Sequence, residues 1–254
     1  MTDLLACVGV QKHFGDFVAT KGIDLTIDCG EIVGIIGANG AGKTTLLNII
    51  SGYLRPDAGK IIFQGADVTG TPPRILVRQG IARSFQIPQL FTRSTALQNM
   101  MLALSLLVEP TSSIMQRFED VRLAGDARHV LASYGIDQHA DMVVGLVPQG
   151  VRKLLDIAMA TCAHPKLVLL DEPTSGVSSE EKHGLMQRLV ERFTAASTTA
   201  AFIEHDMDIV RQYSSRVVAL CDGEIIADAS ADDVFADAGV IQRITGQPKS
   251  ARAT

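Results

Sequence analysis

Three features of the sequence combine residue types that could act on a phosphorylated substrate. The stretch Gly37-Ala38-Asn39-Gly40-Ala41-Gly42-Lys43-Thr44 fits the pattern G-x-x-x-x-G-K-[ST] without a mismatch. Glycines at this spacing let the backbone wrap a phosphate with successive N–H groups pointing inward. A helix starting at the same place adds about half a positive charge. On this reading Lys43 reaches the β- and γ-phosphates and the Thr44 hydroxyl holds Mg²⁺. The competing reading is a glycine-rich turn that matches by accident.

The second feature is Asp171-Glu172, which closes the apolar run Val168-Leu169-Leu170. Open α/β sheets put their ligands at such strand ends. Asp171 suits a Mg²⁺ position, and Glu172 suits the group that polarises an attacking water. An isolated Asp-Glu pair is more often a helix cap or a solvated pair, but this one follows a phosphate-binding loop in the same chain. The third is His205, just past the run Ala200–Ile203, at a strand end that suits contact with a γ-phosphate. A lone histidine is more often a hydrogen-bonded loop or core residue. Gln86 by itself reads as a loop glutamine and Phe14 as a core aromatic.

The segments around these residues give them the settings that the chemistry needs. Ile32-Val33-Gly34-Ile35-Ile36 reads as a buried strand before the glycine loop, and Thr45–Ile50 reads as a helix ended by Gly52. Leu4–Val10 and Ile23–Asp28 read as strands of an antiparallel sheet. In the second, Ile23, Leu25 and Ile27 share the covered face. Lys12–Asp16 reads as a turn with an exposed aromatic, Arg55–Gly59 as another turn, and Lys60–Phe63 as a strand. Thr95–Val108 and Ile114–Tyr134 look helical, the latter closed by Gly135.

These helices suggest a helical subdomain over about 90–165, inserted in an α/β core. Lys166–Leu170 and Thr198–Ile203 resume the core strands. Ser178-x-x-Glu181 reads as a capping box and Asp206 as a helix cap. Asp222-Gly223 predicts a hairpin between Arg216–Leu220 and Glu224–Ala227. A single domain over 1–246 is expected, with a disordered polar tail from Gln247.

Composition narrows the function classes. The 254 residues are 46% hydrophobic and 20% charged, which is ordinary for a globular chain, and a net charge of −5 argues against a nucleic-acid partner. No apolar run approaches the roughly 20 residues that a bilayer span needs, so membrane association is expected to go through a partner. Cys7, Cys29, Cys162 and Cys221 lack metal-site spacing and read as reduced core thiols.

Taken together, the order and spacing of these residues over about 4–246 resemble the ATP-binding subunit of an ABC transporter. The resemblance implies an α/β P-loop NTPase core, mainly a parallel sheet with flanking helices, plus an antiparallel β-subdomain and a helical subdomain. It places Phe14 against adenine, and Asn39, Gly40, Gly42, Lys43, Thr44 and Thr45 on the phosphates. Gln86 becomes a sensor of Mg²⁺ and of the transmembrane domain, Asp171 a metal group, Glu172 the catalytic carboxylate and His205 the switch histidine. ATP and Mg²⁺ are the implied cofactors. Ile81–Gln86 and Ile203–Met207 look like the branch serving branched-chain amino acid importers, to which urea and amide importers are similar.

Two departures stand out. The family signature Leu-Ser-Gly-Gly-Gln falls on Val147-Pro148-Gln149-Gly150-Val151, where only Gly150 survives, and Pro148 offers neither a hydroxyl nor an N–H. Ser178 stands where the family usually has an aspartate. The resemblance therefore implies a peripheral subunit on the cytoplasmic face of the membrane. It would be bound to transmembrane permease subunits and paired with a second ATPase subunit, in a heterodimer or a homodimer. A non-transport ABC ATPase and a non-hydrolysing regulatory subunit are the alternatives.

Overall fold

The computed structural model describes residues 3–107 and 121–245. Its strands in chain order are β1 (Asp3–Phe14), β2 (Phe17–Asp28), β3 (Ile32–Gly37), β4 (Ala58–Phe63), β5 (Ala66–Asp67), β6 (Ile81–Arg83), β7 (Leu167–Asp171), β8 (Thr199–Ile203), β9 (Arg216–Cys221) and β10 (Glu224–Ala229). The helices are α1 (Lys43–Ile50), α2 (Pro73–Gln79), α3 (Ala96–Ser105), α4 (Val121–Ser133), α5 (Gln149–Thr161), α6 (Ser179–Ala195), α7 (Met207–Tyr213), α8 (Ala231–Ala236) and α9 (Ala238–Thr245). Two compact units result. One is drawn from the chain up to Leu76 and from Thr199 onward, the other from Val77–Thr198. Among the described residues no helix is long and apolar enough to cross a membrane.

In the first unit an antiparallel sheet runs in the order β2-β1-β4-β5. Ile23, Leu25 and Ile27 are buried while Asp24 and Thr26 are exposed, as their alternation requires. The hairpin is longer than its apolar pattern suggested. Lys12–Phe14 extend β1 instead of turning, and only Gly15-Asp16 separate Phe14 from its partner Phe17. The alternation is masked by a register shift between Cys7 and Val10, where the Gly9 N–H donates to Asp24 at 2.7 Å. The polar end of the hairpin is held instead by Asp57, which accepts from Lys12 Nζ at 2.8 Å and from the His13 N–H at 2.7 Å. These bonds lower the Asp57 carboxyl to about 2, the Lys12 bond contributing most.

The same unit carries strands in the order β10-β9-β3-β8. β3 pairs parallel with β8 on one side and with β9 on the other, so it is apolar on both faces. The hairpin expected at Asp222-Gly223 forms between β9 and β10. Both turn residues have positive φ (50° and 81°), the combination that a two-residue type I′ turn requires.

In the second unit β6 and β7 run parallel, with Ile81 opposite Leu167 and Arg83 opposite Leu169. Helices α3 to α6 surround this pair in sequence. α3 starts with a capping box in which Thr95 Oγ1 accepts the Gln98 N–H at 3.1 Å and Gln98 returns the bond to the Thr95 N–H at 2.9 Å. α4 gives way to Gly135 at φ 65°, as its sequence signal required. The first part of the Ile114–Tyr134 pattern, Val108 and the tail from Gln247 lie outside the described residues.

Three smaller expectations are corrected. Ser178 precedes α6, but its hydroxyl donates to the Glu181 carboxylate at 3.1 Å and caps no backbone N–H. Asp206 precedes α7 with no side-chain capping bond. Of the cysteines, only Cys7 and Cys162 are buried. Burial pushes those thiols up to about 12 and about 11, whereas Cys29 is exposed in the turn before β3.

Candidate functional site

The glycine loop leaves β3 at Gly37 and enters α1 at Lys43. The chain turns back at once, the Ala41 N–H donating to Ala38 O at 3.1 Å, and the first helical bond runs from the Leu46 N–H to Gly42 O at 2.9 Å. The first-turn N–H groups of Lys43, Thr44 and Thr45 therefore lack an intrahelical acceptor. A Cβ at Gly37 would lie 2.2 Å from Leu220 O, and one at Gly42 (φ 99°) would lie 2.3 Å from Ala19 O. Neither position has room for a side chain, so the loop can run this close to β9 and β2 only as glycine. Gly40 and Asn39 are exposed at the rim.

Lys43 is buried, and its ammonium donates to Gly37 O at 2.7 Å and Ala38 O at 3.0 Å, spanning the loop. Thr44 is exposed and Thr45 half-buried. The pairing of β8 with β3 brings Glu204 and His205 to the same place. With Gly37, Ala38, Asn39 and Met207 they line a cleft of about 350 Å³. Here the structure joins two of the residues that the sequence singled out, Asn39 and His205. Phe14 does not line this cleft. It is 48% exposed at the tip of the β1–β2 hairpin, with Lys12 Nζ 5.8 Å from its ring centroid. The strand leaving that tip touches the loop where Ala19 O abuts Gly42.

In the second unit the parallel pairing of β6 and β7 ends both strands together. Asp171 is buried and bound by Arg83, Nη2 to Oδ2 at 3.0 Å, and both side chains are almost fully shielded. The guanidinium also stacks on Phe85, 5.2 Å from the ring centroid. Gln86 Nε2 donates to the Glu172 carboxylate at 2.7 Å, which joins two further predicted residues. Glu172 has φ 49°, a left-handed conformation that costs a non-glycine residue of order 1 kcal/mol.

Two side chains of α5 support this arrangement. Lys153 donates to Gln86 O and, at 3.1 Å, to Glu172 O. Asp156 accepts the Gln89 N–H at 2.9 Å, and its carboxyl is raised chiefly by burial. Sequence reasoning gave no role to Arg83, Lys153 or Asp156. The signal available for α5 was a lysine and an aspartate one turn apart on the buried side of an amphipathic helix.

The signature segment itself opens α5. Pro148 occupies the N-cap position with no capping bond, and Gln149, Gly150 and Val151 form the first turn. The first helical bond is from the Arg152 N–H to Pro148 O at 3.1 Å, so the N–H groups ahead of it remain donors. Arg152 folds back onto Val147 O and Gly145 O, both at 3.0 Å.

Comparison with known proteins decides among the nucleotide-binding families. The ABC transporter family model matches residues 20–175. The chain belongs to the ABC transporter family. It is an ATP-binding cassette, an ATPase of the kind coupled to transport. The cassette is 31% identical over 250 residues to a probable branched-chain amino acid transport ATP-binding protein of Archaeoglobus fulgidus, covering 97% of each chain. Among solved structures it is similar to the ADP conformation of an ATP-binding cassette of an ABC transporter, with TM-score 0.83 and 29% identity, over 97% of this chain and 100% of that one. It is also similar to a dimeric post-hydrolysis cassette bound to ADP and Pi, with TM-score 0.75 and 26% identity, over 89% of this chain and 98% of that one. The α/β P-loop fold expected from the sequence is the fold of these cassettes.

Proposed function

We propose that this cassette binds MgATP at its glycine loop and hydrolyses it to drive a membrane importer of branched-chain amino acids or a related small polar solute. The observation that carries the reading is the loop itself: side-chain-free backbone at Gly37 and Gly42, with the Lys43 ammonium across it. Lys43 would turn from its two carbonyls to the β- and γ-phosphates, joined by the N–H groups of Asn39, Gly40, Gly42, Lys43, Thr44 and Thr45. Phe14 would stack on adenine, His205 would contact the γ-phosphate, and Glu172 would orient the attacking water. Gly150 would meet ATP held by a partner subunit.

Mg²⁺ would be held by the Thr44 hydroxyl with Asp171 and Gln86, supplying charge neutralisation on the phosphates. Among the described residues no three His, Cys, Asp or Glu side chains cluster. The substrate class is supported by the Archaeoglobus fulgidus relative, a probable branched-chain amino acid transport ATP-binding protein. The cassette would sit at the cytoplasmic face, attached through permease subunits. Exposed apolar side chains support the attachment point: Ile87 (73% exposed), Phe91, Leu106 and Leu107 all face solvent. Phe91 also lines a cavity of about 240 Å³ with Ser94, Gln98, Asn99 and Leu102.

The partner would be a different ATPase subunit. In a homodimer both composite sites would face Pro148, whereas a partner with a fuller signature would complete this chain's own site. Reconstitution with candidate permease and ATPase partners in proteoliposomes tests the reading. ATP-dependent uptake of leucine supports it, uptake of a short-chain amide alone narrows the substrate to that class, and ATP turnover without any uptake contradicts it.

A further inference from the structure

Lys153 is 2% exposed, and its ammonium meets two backbone carbonyls. Burying an ammonium is costly unless its hydrogen-bonding capacity is met, and a methionine would fill the same space without that cost. What the lysine holds is therefore informative. One carbonyl belongs to Gln86, the other to Glu172, and these residues are already joined through their side chains at 2.7 Å.

The Glu172 carbonyl also accepts the Ser175 N–H at 3.1 Å, so two donors fix the left-handed turn that aims its carboxylate. One helical turn further on, Asp156 takes backbone N–H groups of Phe85 and Gln89. Helix α5 thus grips the Phe85–Gln89 segment by a carbonyl with its cation and by amides with its anion. That helix begins at the signature segment.

We propose that Lys153 is a positioning residue for ATP hydrolysis, holding the carbonyls of Gln86 and Glu172 so that the signature helix, the Gln86 loop and the water-orienting carboxylate shift together. The proposal rests on the assignment of Glu172 made above. A displacement of α5 at its signature end, or of the Gln86 loop at its exposed side, is then delivered to the Glu172 backbone. A space-filling lysine would transmit nothing.

The test is a double-mutant cycle in the purified full transporter. Lys153→Met keeps the side-chain length and removes the ammonium. It is expected to lower kcat for ATP about 10-fold or more while ATP affinity changes less than about 2-fold. Lys153→Arg, which retains a cationic donor, is expected to recover much of that loss. Because Lys153 acts through Glu172, adding Lys153→Met to Glu172→Gln should cost nothing further. An unchanged kcat in Lys153→Met beside a disabled Glu172→Gln overturns the proposal alone, as does an equal fractional loss in both backgrounds. A wild-type rate in Glu172→Gln removes the Glu172 assignment, and the proposal falls with it. Should Lys153→Met fail to bind ATP, Lys153→Gln, which keeps an N–H donor in the buried site, is read by the same cycle.

Discussion

Two glycine-bearing segments of this cassette each lead into a helix N-terminus, and they are constrained in opposite ways. The phosphate loop is fixed by its own chain. Side chains at Gly37 or Gly42 would strike Leu220 O or Ala19 O, and Lys43 is held by Gly37 and Ala38. The signature segment meets no such limits. A Cβ at Gly150 would find only Val177 Cγ1, at 3.8 Å, and Pro148 occupies the N-cap with no side-chain capping bond. What the fold itself demands is retained in the first segment. In the second, only Gly150 matches the family signature. We read the cassette as complete in the site it owns and weak in the site it lends.

The sharpest way to break this contrast is to add one methyl group to each loop. Gly37→Ala forces a backbone overlap in a conformation (φ 152°) that favours glycine, and should cost about 2–3 kcal/mol or more together with nucleotide binding. Thermal unfolding with and without ATP measures both. Lys43→Ala should leave the fold intact and abolish ATP binding, since it removes the mobile cation from the phosphate cradle. Unchanged affinity in a direct binding assay would break the assignment of the loop.

Restoring a hydroxyl by Pro148→Ser should then sharpen the comparison. Serine is a good N-cap and is worth about 0.5–1 kcal/mol to α5. It should also raise turnover at the partner's site, read as ATPase activity when this chain's own site is disabled. The smallest effect is expected for Gly150→Ala. It meets only ordinary contact distance at the start of a helix, so stability should change by less than about 1 kcal/mol and could rise.

The contrast also marks what could be read from the sequence. The phosphate loop, its strand and helix, and the Asp222-Gly223 turn are local, and their residue types are dictated by backbone geometry within a few positions. Arg83 was hidden because β6 is only three residues long and its importance comes from Asp171, 88 positions away. Lys153 and Asp156 act on the Gln86 loop across 67 positions, and nothing near them in sequence records that contact. The β1–β2 hairpin was read short because register shifts broke its alternation and its end is polar. At helix starts, Thr95 and Gln98 form the capping box that the Ser178-x-x-Glu181 pattern only imitates. There the serine hydroxyl is drawn to the carboxylate instead of the backbone.

Unequal sites in the assembled transporter should be visible in a single measurement. Glu172→Gln is placed in this chain alone, within the purified transporter carrying a normal partner ATPase subunit, and steady-state phosphate release is compared with the unmodified complex. Loss of Glu172 should slow this chain's own site about 100-fold, equivalent to ~2.7 kcal/mol of transition-state stabilisation. With the site facing Pro148 contributing little, total hydrolysis should fall nearly to background. Retention of about half the original rate would show two equivalent sites, and would contradict the reading of the signature segment as weak.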